Sequence, residues 1–66
     1  MHQFAEVSLA IPVFPHDRLF DYRIPEELLG SIRPGQMLKV PFRNRESWAL
    51  VMKTKEASDF KNPEKI

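Results

Sequence analysis

Residues 33–54 read RPGQMLKVPFRNRESWALVMKT, and the fold turns on this stretch. Arg33-Pro34-Gly35-Gln36 has the form of a type II turn, with proline fixing φ at the second position and glycine supplying a positive φ at the third. Gln36 to Pro41 then alternates Met37 and Lys39 with Leu38 and Val40, which predicts a strand. After the polar turn Arg43-Asn44-Arg45-Glu46, Ser47 to Thr54 predicts another strand, and the two pair as a hairpin.

Working outward, Ala5, Val7, Leu9 and Ile11 alternate with Glu6, Ser8 and Ala10, the pattern of a half-buried strand. Pro12 and Pro15 then remove two backbone donors and predict an extended loop that leaves the sheet. Leu19 to Ile24 (LFDYRI) predicts a short strand closed by Pro25, and Pro25 to Leu29 predicts one or two helical turns ended by Gly30. The polar tail from Lys55 to Ile66 carries a turn signal at Asn62-Pro63 and one aromatic, Phe60, so its order depends on packing. With no internal repeat, low-complexity tract or linker, residues 1–66 are expected to form a single domain. Its class is mainly β: a small barrel-like antiparallel sheet, OB-like or SH3-like, with a short helical turn.

A chain of 66 residues buries a modest core and lacks cysteine to staple it. The absence of thiols fits a reducing cytoplasm. The opening MHQFAEVSLA lacks the basic start of a signal peptide, and no apolar run approaches the roughly 20 residues of a membrane span, so no membrane partner is expected. The formal net charge is only +1, yet Leu38 to Lys55 holds Lys39, Arg43, Arg45, Lys53 and Lys55 against Glu46 alone. Two readings of this run stand: a solvated face, or a local nucleic-acid surface.

Catalytic signatures are missing: the sequence has no phosphate loop, GxGxxG, GxSxG or HExxH. His16-Asp17 lacks further ligands for a metal, Glu26-Glu27 suits a helix start rather than acid–base work, and no serine has a neighbouring base. The chain is therefore expected to be non-enzymatic and free of cofactor and metal. Binding chemistry is better represented. In Phe20-Asp21-Tyr22 the aromatics share one face of a strand and Asp21 takes the other, either facing water or accepting a hydrogen bond from a ligand hydroxyl. Trp48, near Arg43 and Arg45, is either a core anchor or a stacking platform.

Val7–Pro15 (VSLAIPVFP), Leu19–Pro25 (LFDYRIP), Ile32–Phe42 (IRPGQMLKVPF) and the strand Trp48–Lys53 together resemble, in order and spacing, the opening of PriA-type primosomal proteins, the replication-restart helicases. The resemblance spans Phe4 to Ile66. It implies a DNA-binding module that recognises the 3′ end of a nascent strand at a stalled fork or D-loop. Asp21 would accept from the terminal 3′-hydroxyl, with Phe20, Arg43 and Lys65 completing the pocket and Tyr22 serving as packing. Lys39, Arg45 and Trp48 are further candidates for contact with the DNA backbone.

At the position after VPF, where the family usually carries glycine, this chain has Arg43, whose bulk narrows the pocket or whose charge clamps a phosphate. Trp48-Ala49 likewise stands where the family favours glycine. The resemblance further implies that the chain is the N-terminal piece of a longer ATP-dependent helicase, with helicase lobes and other primosome proteins as partners in the cytoplasm. The competing reading is an SH3-like or OB-like protein-interaction or RNA-binding module.

Overall fold

In the computed structural model, which describes residues 2–10, 19–58, 60 and 62–66, the hairpin read from residues 33–54 forms one half of the sheet. The strands are β1 (Phe4–Leu9), β2 (Phe20–Arg23), β3 (Met37–Phe42) and β4 (Arg45–Lys55). They make one antiparallel sheet in the order β2-β1-β4-β3. The mainly β, barrel-like class expected from the sequence is the class observed. The Pro12–Pro15 loop, Ile11 and the His16-Asp17 pair lie outside the described residues.

The β3–β4 turn is shorter than the sequence suggests. Arg43 and Asn44 alone make it, with φ of 50° and 63°, and Arg45 already pairs with Phe42. Two successive positive φ values mark the tight hairpin turn whose twist matches that of the flanking strands, so Arg45 and Glu46 join β4. Asparagine tolerates this conformation, whereas arginine there is strained by about 1–2 kcal/mol. Its guanidinium recovers part of that by lying 4.9 Å from the centroid of the Phe42 ring. Arg43→Gly is therefore expected to raise stability by about 0.5–1 kcal/mol, measured as a higher urea midpoint. A lowered midpoint would mean that the contact with Phe42 outweighs the backbone strain.

Along β4, Ser47, Ala49 and Val51 are buried while Trp48, Leu50 and Met52 are exposed. Strict alternation would carry Lys53 and Lys55 into the core. The β1–β4 register prevents this: Val7 pairs with Val51 but Glu6 pairs with Lys53, so Met52 is an extra residue on β4. This bulge resets the phase. Thr54 falls opposite Ala5, and Lys53 and Lys55 fall opposite Glu6 and Phe4, on the face that Glu6 shares with its β2 partner Asp21.

On the inner face Ala5, Val7, Leu9, Tyr22, Ile24, Ile32, Val40, Ala49 and Val51 form the core. The sheet curls until its two outermost strands meet. The Tyr22 hydroxyl donates to the Pro41 carbonyl (2.7 Å), and the Phe20 and Phe42 rings pack edge to face with centroids 5.3 Å apart. The helical expectation reduces to a single 3-10 turn, Glu26–Leu28, after which Gly30 turns the chain at φ 84°. Gly35 (φ 94°) and the Gln36 N–H to Arg33 carbonyl bond (3.3 Å) form the expected turn into β3. The outer edge of β2 is covered by the chain's tail: the Arg23 N–H donates to the Glu64 carbonyl (2.7 Å), and the Ile66 N–H to the Arg23 carbonyl (3.0 Å). An exposed strand edge is thereby closed to further pairing.

Candidate nucleic-acid interface

Asp21 leaves β2 on the face opposite Phe20 and Tyr22, as strand geometry requires, but it does not face water. The residue is 4% exposed. Burying a carboxylate is costly unless it is paired and hydrogen-bonded. Here Lys55 Nζ lies 2.8 Å from Asp21 Oδ1, and the Ser58 hydroxyl donates to Oδ2 at 2.5 Å. Lys55 also reaches Glu6 Oε1 at 3.2 Å, and Lys53 lies 4.0 Å from Glu6 Oε2. The reading of Asp21 as a water-facing residue is thus overturned, because the bulge at Met52 and the tail at Ser58 both supply donors to its face. The hydrogen bond to Asp21, reinforced by Glu6, pushes the Lys55 ammonium pKa up against the opposing effect of burial.

Beside this carboxylate lies a recess of about 150 Å³. Phe20, Phe42 and Phe60 line it together with Asp21 and Tyr22, and Asn62, Pro63 and Glu64 of the tail complete the wall. The Phe60 ring stands 6.2 Å from that of Phe20. Curling of the sheet brings Phe42 to β2, and docking of the tail brings Phe60. The result is a largely aromatic lining to which β2 adds Asp21, whose carboxylate takes its hydrogen bonds from neighbouring side chains, and the tail adds Glu64.

Of the other residues singled out from the sequence, Arg43 reaches the recess indirectly, through its contact with Phe42, and Lys65 sits beside β2 by a backbone bridge to Arg23 next to the lining residue Glu64. Both are exposed. Trp48 is 51% exposed, which overturns the core-anchor reading. Lys39 is its cross-strand partner, with Nζ 5.3 Å from the ring centroid. Arg45, opposite Phe42, is exposed near the hairpin turn. Sequence reasoning did not single out Phe42, Lys55, Ser58 or Phe60. Lys55 was visible only as a member of the basic run, and Phe60 only as the sole aromatic of an otherwise polar tail.

The family model for the 3′ DNA-binding domain (3′BD) of PriA matches residues 6–66, nearly the whole chain. The chain belongs to the PriA 3′BD family. Two curated relatives agree. The replication restart protein PriA of Bacillus subtilis is 45% identical over 56 residues, covering 85% of this chain and 7% of the relative. That of Chlamydia muridarum is 33% identical over 64 residues, covering 89% of this chain and 8% of the relative. This 3′BD thus spans less than a tenth of the length of either relative. No solved structure is a significant match. The family is a DNA-binding module, not a catalytic one, and among the described residues of this 3′BD no helix is long and apolar enough to cross a membrane.

Proposed function

We propose that the recess beside Asp21 captures the 3′-terminal nucleotide of a DNA strand by its free hydroxyl, so that the domain marks the end of a nascent strand at a fork or D-loop for replication restart. The observation that carries this reading is a buried, hydrogen-bonded aspartate among the residues that line an aromatic recess. A carboxylate accepts from a hydroxyl but repels a phosphate, so one residue distinguishes a free end from a blocked one. Aromatic faces stack on any base, which makes capture independent of sequence. At about 150 Å³ the recess is smaller than pockets that enclose a whole small molecule, roughly 300–1,000 Å³, and suits the tip of a strand.

Phe20 and Asp21 contact the terminal nucleotide in this proposal, and Arg43 and Lys65 flank it. Lys39, Arg45 and Trp48 take the strand beyond it by neutralising phosphates and stacking. The cytoplasm is the proposed compartment. Helicase lobes of the same polypeptide and other primosome proteins are the proposed partners, in keeping with the much greater length of the relatives.

Fluorescence anisotropy of labelled strands ending in a 3′-hydroxyl, a 3′-phosphate or only an accessible 5′ end provides the test. The hydroxyl end is expected to bind about tenfold tighter than the phosphate end, as fits one hydrogen bond to a charged group. Asp21→Asn, checked for folding by circular dichroism, is expected to erase the difference. Equal binding of all three ends by the unaltered chain would reduce the site to backbone attraction through the basic hairpin.

A further inference from the structure

Both oxygens of the Asp21 carboxylate are engaged within the domain, by Lys55 on Oδ1 and Ser58 on Oδ2. The side chain is 2% exposed, so no approach is left open for an additional donor. A hydroxyl arriving from the recess must therefore take the place of one already there.

The two internal donors are not equivalent. Lys55 brings a compensating charge and is anchored to Glu6 as well, so displacing it would strand a buried anion. Ser58 brings a neutral hydroxyl, the same kind of donor that ends a DNA strand, and exchanging one for the other conserves the number and type of hydrogen bonds. Ser58 Oγ also accepts from the Phe60 N–H at 3.0 Å, and Phe60 lines the recess, so the hydroxyl and the wall are linked.

Resting on the 3′-end reading above, we propose that Ser58 occupies the hydroxyl subsite of Asp21 in the free domain and that the 3′-terminal hydroxyl binds by replacing it. The device works as a filter. An end with a hydroxyl trades one bond for another of similar strength. An end without one can displace Ser58 only by leaving an Asp21 oxygen unpaired, a larger penalty than the bond itself is worth, so Ser58 stays and the end is refused.

The test uses the 66-residue chain and two strands of one sequence, ending in a 3′-hydroxyl or a 3′-deoxy sugar. Ser58→Ala removes the competitor. It is expected to tighten both ends about fivefold, the equivalent of one ordinary hydrogen bond, because neither has a Ser58 bond left to break, while the ratio between them, set by the bond to Asp21, is kept. Ser58→Thr, which keeps the hydroxyl, is expected to keep the original affinity for each end. Unchanged or weakened binding of either end by folded Ser58→Ala, beside an intact preference in the unaltered chain, would overturn the proposal alone.

No preference in the unaltered chain would overturn the 3′-end reading, and this proposal with it. The amide resonance of Phe60 gives a readout that needs no variant. It is expected to shift when the hydroxyl strand is added, because its acceptor moves, and not with the deoxy strand. A silent Phe60 amide on saturation with the hydroxyl strand would also overturn the proposal.

Discussion

Replacing Lys55 by methionine is expected to cost about 3 kcal/mol and to leave much of the population unfolded near body temperature. Breaking a buried ion pair from one side costs roughly 3–5 kcal/mol, because the remaining charge is stranded. The low end applies here because the Lys55 side chain is 23% exposed, which lets some water reach the site, while that of Asp21 is only 2% exposed. Methionine preserves the length and apolar stem of lysine, so the loss reports the charge and its hydrogen bonds rather than a cavity. A domain of 66 residues has ~3–10 kcal/mol in all, so the variant sits near the edge of stability.

The double variant Asp21→Asn with Lys55→Met is expected to regain most of the loss, since no buried carboxylate is left uncompensated. Urea denaturation of the four chains in this cycle measures the coupling. A Lys55→Met midpoint indistinguishable from the unaltered chain would mean that Ser58 alone satisfies Asp21.

That Lys55 matters this much is a consequence of tertiary structure which the local sequence does not announce. The β3–β4 hairpin was legible because Pro34-Gly35 and Asn44 are turn residues whose backbone preferences are local. The phase of β4 was not. From Trp48 to Met52 every residue is apolar, so alternation cannot say which set faces in. The curled inner face is filled by Ser47, Ala49 and Val51, and the larger Trp48, Leu50 and Met52 take the outer face.

The bulge at Met52 is equally silent in sequence, yet it decides that Lys53 and Lys55 meet Glu6 and that Lys55 reaches Asp21 rather than the core. Phe20 and Asp21 were legible through the FDY motif and the family it resembles. Phe42 and Phe60 were not, because each enters the recess only when the sheet curls or the tail docks on β2. The family's preference for glycine after VPF acquires a backbone reason in the positive φ of Arg43.

The curl itself hangs partly on one phenol, and alkaline pH should release it. Tyr22, the single tyrosine of the chain, is 4% exposed and donates from β2 to the Pro41 carbonyl of β3 at 2.7 Å. Burial, with a smaller contribution from the negative charge of Glu64, pushes its pKa from 10.0 up to about 12. In the unfolded chain the phenol ionises near its ordinary value, whereas in the folded domain it keeps its proton. The stabilisation is therefore complete below about pH 10 and is lost as pH rises through about 12, amounting to about 2–3 kcal/mol for a shift of this size. The raised pKa of Lys55 acts with the same sign, its contribution holding below the ordinary lysine value and fading above the folded one.

Urea midpoints across this range are thus expected to fall steeply, while tyrosinate absorbance of the folded domain lags behind that of the unfolded chain. Tyr22→Phe should be weaker by about 1 kcal/mol at neutral pH, having lost the bond to Pro41, and should show a shallower alkaline decline that retains only the lysine part. A phenol that titrates at its ordinary value in the folded domain would mean that the two edge strands part before the rest of the sheet. The aromatic recess they enclose would then open with them, and capture of a strand end would be lost at lower pH than the fold.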